Sequence, residues 1–181
     1  MTEDILGYAI STGSVDHCTS KIGKWIQKKE KGRYFVCANP HSLEVARRDV
    51  LFRETLKAAA LIVPDGVGMV IASKILGGAI RRRVTGSEIF EGLNSLLNEV
   101  GSYSCFFLGS TEENLRKICE RMKVDFPNIR IAGTYAPPFK AEFSAEDDRL
   151  MIEAINRARP DVLWIGMTAP KQEKWAYQNN V

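Results

Sequence analysis

An α/β fold on a mostly parallel sheet is predicted by two features of the 181-residue sequence. Short apolar runs of strand length alternate with longer stretches whose apolar residues recur at helical spacing. The short runs are rich in Val, Ile, Leu and Phe and lack polar alternation, as strands covered on both faces are.

The elements follow in order. Residues 5–12 (ILGYAIST) fit either an extra edge strand or a small hairpin, and residues 1–32 as a whole are assigned an edge strand or helix. RYFVCAN (33–39) reads as a strand, and 41–59 as helix, with a possible break into two. ALIV (60–63) is a strand. GVGMVIASKILGG (66–78) is a helix closed by glycine, apolar enough for core or interface, with core expected. A helix over 86–101 precedes a strand and turn over 104–110, and a helix over 111–127 stops at Pro127. Strand 128–135, helix 145–160, strand 161–167 and a last helix over 169–180 complete the chain. Capping boxes are predicted at Thr85–Glu88, Ser110–Glu113 and Ser144–Asp147, where a hydroxyl and a carboxylate can satisfy helix amides reciprocally. The reading is a Rossmann-like three-layer αβα sandwich, with residues 1–181 as a single domain.

Composition narrows the class. The net charge of +3 is too small to argue for nucleic acid, and no nucleic-acid partner is expected. Cys18, Cys37, Cys105 and Cys119 form no C-x-x-C pair, and only His17 and His41 could join them, so no zinc site is expected. Cys37 and Cys105 lie in apolar strands and read as free thiols, which suits a reducing compartment. No signal peptide opens the sequence and no apolar run reaches 18 residues, so a cytoplasmic location is expected.

In open parallel sheets ligands bind beyond the carboxyl ends of the strands. Those ends read Ala38-Asn39-Pro40, Pro64-Asp65-Gly66, Gly109-Ser110-Thr111, Gly133-Thr134-Tyr135 and Gly166-Met167-Thr168. Glycines there let a ligand approach the backbone, and the helix N-termini that follow attract phosphate. Asp65, fixed between Pro64 and Gly66, suits a general base whose carboxylate is made more basic by apolar neighbours, or a cap for the next helix; the two roles can coexist. Arg81, Arg82 and Arg83 could clamp a diphosphate, touch anionic lipid headgroups, or form a solvated loop. In GMTAPKQEKW (166–175), Gln172 can donate and accept, as a uracil or sugar edge requires. The alternative is a solvent-facing first turn in which Glu173 favours the helix dipole.

Absent motifs exclude competitors. No G-x-G-x-x-G follows a strand and no P-loop occurs, which counts against a dehydrogenase-type or P-loop nucleotide site. No Asp-x-Asp occurs, so a metal-bridged sugar nucleotide held by that motif is not expected. A cationic side chain would then have to meet the leaving diphosphate, and Arg83 is the candidate.

The segments ANPHSLEVARRD, LIVPDGVGMVIASKILG, RRRVTGSEIFEGL, CFFLGSTEEN and DVLWIGMTAPKQEKW, in this order over about residues 33–177, together resemble the WecG/TagA/CpsF family of bacterial glycosyltransferases. The resemblance implies inverting, metal-independent transfer of a hexose, N-acetylmannosamine or its uronic acid, from a UDP-sugar. The acceptor would be a polyprenyl-diphosphate-linked sugar at the inner membrane face, in teichoic acid or surface-polysaccharide synthesis. No cofactor is expected. Asp65 matches the family's proposed base, Arg83 the arginine at the diphosphate, Asn39 an active-site position and Gln172 a glutamine near the nucleotide sugar. Cys37, Gly66, Gly109, Gly166 and Glu173 complete the expected substrate-binding set. Many members carry Thr in place of Cys37, and Thr-Asp in place of Ser87-Glu88. Members continue past the last helix with a further strand and a basic C-terminal appendage that holds the enzyme on the membrane; this chain, ending at Val181, is expected to lack it. A second copy of the chain stays open as a partner. Two rivals remain: a non-catalytic nucleotide-sugar-binding module, and another nucleotide-cofactor enzyme on a Rossmann-like fold.

Overall fold

The computed structural model describes residues 1–179. It is α/β, with parallel-rich sheets flanked by helices, as expected. The chain packs as two compact units, residues 1–93 with 169–179, and residues 94–168.

The first unit opens on the hairpin that the sequence left undecided. Strand β1 (Thr2–Ile5) turns through Leu6 and Gly7 and pairs antiparallel with β2 (Tyr8–Ser11). Both turn residues have positive φ, 56° and 84°, as a two-residue hairpin turn of matching twist requires. Helix α1 (Val15–Gln27) follows, capped by Ser14, which accepts from the His17 amide at 3.2 Å. Strand β3 (Phe35–Ala38) leads into α2 (Pro40–Arg48) and α3 (Val50–Ala58). The predicted helix over 41–59 does break, at Asp49, which turns to extended backbone and caps α3 through the Phe52 amide at 2.9 Å. Strand β4 (Leu61–Pro64) inserts between β2 and β3, in the order β1-β2-β4-β3, and pairs parallel with both.

All four residues of β4 are buried, so this strand is covered on both faces. On one face Ile62 joins Ile10, Val36 and Ala38 against Leu43 and Ala46 of α2 and Phe52 and Leu56 of α3. Helices α4 (Val67–Ile75) and α5 (Gly86–Val100) follow β4. A methyl group at Gly92 of α5 would lie 3.1 Å from the Thr19 side chain of α1, so those helices pack closely. Helix α8 (Lys171–Asn179) docks on α3: Trp175 is buried, and Lys174 reaches Asp49 at 2.8 Å. Residue 180, within the predicted last helix, lies outside the described residues.

The expectation that the 66–78 helix is core needs correction. Helix α4 buries Met69 and Ser73, while Val67, Ile71 and Ile75 face outward at 66%, 52% and 78% exposure. The sequence is apolar all round, yet only one face of the helix meets the sheet and its neighbours.

The second unit has a wholly parallel sheet, β6-β5-β7. Strand β5 (Ser104–Gly109) is central and buried throughout. It is flanked by β6 (Arg130–Tyr135) and β7 (Val162–Gly166), with α6 (Glu112–Asp125) and α7 (Ala145–Ala158) as crossovers. Asp161 locks the start of the sheet by accepting from the Ser104 amide and hydroxyl, each at 2.8 Å. Gly133 lies within β6, where the Phe106 ring occupies the space a side chain would need. The predicted cap at Ser110 moves one residue on. Ser110 adopts φ 60°, outside cap geometry, and Thr111 caps α6 through the Asn114 amide at 3.3 Å. The boxes at Thr85–Glu88 and Ser144–Asp147 form as predicted.

Leu56, fully buried between α3 and the sheet, supports the first unit's core. Leu56→Ala should destabilise the protein by about 2–5 kcal/mol, read as a lowered urea midpoint with unchanged slope.

Candidate functional site

The carboxyl ends of β3 and β4 are aligned, with Ala38 paired to Pro64. The ladder continues one step beyond the strands, where the Asp65 amide donates to the Ala38 carbonyl at 2.8 Å. Three helices then start around this edge. Pro40 begins α2, and a methyl group at Gly68 in the first turn of α4 would fall 2.6 Å from the Pro40 ring. At Gly86, the first residue of α5, it would fall 3.3 Å from the Cys37 sulfur. Helix N-termini present free amides and partial positive charge, so this edge is suited to an anion.

Asp65 is half-buried at this edge. It does not cap α4. Gly66 occupies the cap with φ 97° and ψ 154°, and no side chain bonds the first amides. The capping alternative for Asp65 is thereby removed. Its carboxylate accepts no hydrogen bond from the described residues. Burial pushes it above the ordinary aspartate range, the Arg83 guanidinium works the other way, and Glu88 adds to the rise. A carboxylate with free lone pairs and raised basicity can accept a proton.

Arg83 is brought to Asp65 by main-chain bonding. The Val84 amide donates to the Pro64 carbonyl at 2.8 Å, which pins the arginine loop beside the end of β4. The three arginines then differ. Arg81 donates to the Gly78 carbonyl at 2.9 Å, and Arg82 pairs with Glu88 at 3.3 Å. Arg83 is exposed and has no ion-pair partner among the described residues, so its guanidinium remains available to a ligand. The other end of the loop is held by a residue the sequence reading passed over. Glu3 on β1 accepts from the Ala79 and Ile80 amides, and Ser73 of α4 also accepts from Ile80, at 3.0 Å. No sequence pattern signals this contact, because its partners are main-chain amides over 70 residues away.

Asn39 caps α2. Its Oδ1 accepts from the Ser42 amide at 2.8 Å, and Ser42 Oγ accepts from the Asn39 amide at 2.9 Å. The Asn39 side-chain amide nitrogen donates to none of the described residues and stays free at the same edge. Cys37 sits in β3 with its thiol pushed up to about 12, by burial first and then by the charges of Asp65 and Glu173. It is a neutral thiol, with carboxyl groups from two other elements acting on it. Glu173 is buried, contrary to the solvent-facing alternative, and Gln172 Nε2 donates to its Oε1 at 2.8 Å.

Cys37, Asn39, Asp65, Gly66, Arg83, Gln172 and Glu173 thus belong to the first unit. Gly109 and Gly166 belong to the second, where they meet each other: a side chain at Gly109 (φ 117°) would strike the Gly166 carbonyl, and the Ser110 amide donates to that carbonyl at 3.0 Å. Gly109 is therefore required by strand packing, whereas Gly166 has open space where its Cβ would stand.

An α/β protein with a half-buried carboxylate, an unpaired arginine and convergent helix N-termini at the carboxyl edge of its sheet has the parts of a phosphate-ester-handling enzyme. Comparison with known proteins gives the family: the chain belongs to the glycosyl transferase WecG/TagA/CpsF family, matched over residues 3–181. Similar proteins include three named N-acetylglucosaminyldiphosphoundecaprenol N-acetyl-beta-D-mannosaminyltransferase. That of Bacillus spizizenii is 31% identical over 147 residues, 80% of this chain and 54% of the relative. That of Bacillus subtilis is 25% identical over 171 residues, 91% and 64% respectively. That of Staphylococcus aureus is 27% identical over 173 residues, 95% and 65%. The chain therefore spans between about half and two thirds of the length of these relatives.

Proposed function

We propose that this chain carries the catalytic site of an inverting, metal-independent glycosyltransferase that moves N-acetylmannosamine or a related hexose from a UDP-sugar to a polyprenyl-diphosphate-linked sugar. The family and the names of the relatives support the reaction class and the acceptor. The observation that carries the site assignment is the pairing of Asp65, a carboxylate with free lone pairs, with the unpaired Arg83 on a loop pinned to the same strand end.

In this reading the Asp65 carboxylate takes the proton of the acceptor hydroxyl while that oxygen attacks the anomeric carbon. The new bond forms on the face opposite the sugar–phosphate bond, which breaks and releases UDP, so the configuration inverts. Arg83 pairs with the diphosphate as its charge grows, aided by the amides at the starts of α2, α4 and α5. The Asn39 amide and Gln172 orient the donor. Cys37 contributes shape and a weak donor where other members place a hydroxyl.

A peripheral position at an anionic membrane surface is part of the proposal. No helix among the described residues is long and apolar enough to cross a membrane. The outward face of α4 carries Val67, Ile71 and Ile75, continued by Leu76 at 64% exposure, and Lys74, Arg81 and Arg82 lie beside it in sequence. Apolar side chains bordered by cations fit an interface of acyl chains under anionic headgroups.

Three outcomes test this reading. Asp65→Asn should lower transfer by at least about a hundredfold while calorimetric UDP affinity stays within about twofold, since the amide cannot take the proton. Undiminished transfer removes Asp65 from the mechanism. Arg83→Ala should weaken UDP by about tenfold or more and leave uridine nearly unchanged, because the two differ only in the diphosphate. Equal losses argue against a clamp. In flotation with phosphatidylglycerol-containing vesicles, Ile71→Glu/Ile75→Glu should lose the bound fraction, and pure phosphatidylcholine should retain little of the unmodified chain. Equal flotation of chain and variant rejects the α4 surface.

A further inference from the structure

Glu173 has a bonding pattern that a structural carboxylate would not keep. It lies in the first turn of the nine-residue helix α8 and is 8% exposed. Its Oε1 accepts from Gln172 at 2.8 Å, and its Oε2 is buried with no hydrogen-bond partner among the described residues. Besides Gln172, only the residue's own backbone amide acts on this carboxyl. An ionised carboxylate can accept at about four lone-pair sites, and burying one with so few neutral donors is costly.

The surrounding charges sharpen the point. The neighbouring cation, Lys174, gives its ammonium to Asp49 of α3 at 2.8 Å. The titratable group of β3 is the Cys37 thiol, and the Asp65 carboxyl stands at the end of β4; both Asp65 and Glu173 act on Cys37. Burial raises the Glu173 carboxyl, against the lowering pull of Gln172 and of its own backbone amide. A neutral acid removes the cost of burying the charge. The proton belongs on Oε2, the oxygen that accepts nothing, and turns it into a donor.

We infer that Glu173 is a specificity-determining residue of the candidate site: it stands as the neutral acid, and its Oε2–H, shut off from solvent in this conformation, becomes a donor for an uncharged acceptor oxygen of carbonyl type on the nucleotide sugar once the side chain turns toward the ligand. The ligand named here rests on the proposed donor reading; the protonation of Glu173 does not. A neutral donor suits a carbonyl better than a phosphate, which this site can meet with Arg83 and helix amides. Uracil and acetamido groups both offer such oxygens.

The test uses UDP-N-acetylmannosamine as the calorimetric probe, with Glu173→Gln and Glu173→Leu beside the unmodified chain. Gln keeps a donor in nearly the same place, so its affinity should stay within about twofold, whereas Leu should lose about tenfold. Thermal melting should show both variants folded, since an apolar side chain of similar volume is tolerated where a buried acid stood. The neutral acid donates and its anion does not. Affinity of the unmodified chain should therefore fall as pH rises through the elevated Glu173 value, and the Gln variant should stay flat. Leu binding as tightly as Glu, or Gln losing as much as Leu, overturns the inference. The infrared carbonyl stretch of a protonated carboxyl should be present at neutral pH and vanish in Glu173→Gln. Its absence from the unmodified chain overturns the inference whatever the ligand. Failure of the unmodified chain to bind the probe overturns the donor reading and the ligand named here, while the infrared result decides Glu173 by itself.

Discussion

Two main-chain hydrogen bonds at the end of β4 organise this site. The Asp65 amide donates to Ala38 and so extends the β3–β4 ladder past the last strand residue. The Pro64 carbonyl, one residue earlier, accepts from Val84 and holds the arginine loop. The carboxylate and the guanidinium are thus positioned by adjacent peptide groups of one strand end. Backbone bonding of this kind leaves both side chains their full bonding capacity, which a direct Asp–Arg ion pair would consume.

The division between structural and chemical duty is visible in the residues around it. Asn39 uses its carbonyl oxygen to cap α2 and keeps its amide nitrogen free. Of the three consecutive arginines, Arg81 ties down its own loop and Arg82 holds Glu88, which in turn caps α5 through Thr85. Arg83 is the one of the three whose side chain makes neither a hydrogen bond nor an ion pair among the described residues. Gly66 makes the cap of α4 out of backbone alone, which frees Asp65 from the role its position suggests.

Much of the fold was legible in the sequence because buried parallel strands and amphipathic helices differ in period and length. Every strand from residue 33 onward lies where its apolar run does, and the possible break of the 41–59 helix, expected without a position, falls at Asp49. The N-terminal hairpin stayed ambiguous because a turn made by Leu6 and Gly7 lacks the usual Asn-Gly or Asp-Gly signal. The outward face of α4 was misread because composition cannot tell which face meets the sheet. At the site, Asp65 and Arg83 were legible as residue types in a pattern. The pairing of Glu3 with the 79–80 amides and the burial of Glu173 were not, since both depend on tertiary packing that no local spacing encodes.

The Glu3 contact ties strand β1 to the arginine loop. That strand forms the edge of its sheet and adds little to the core, so it resembles a segment a protein engineer would trim or fuse to a tag. Its carboxylate nevertheless holds the turn between α4 and the arginine loop, across more than 70 residues of sequence. The amino-terminal residues are thus a remote pin for the loop that carries Arg83, so a fusion or deletion at that end would remove an anchor of that loop.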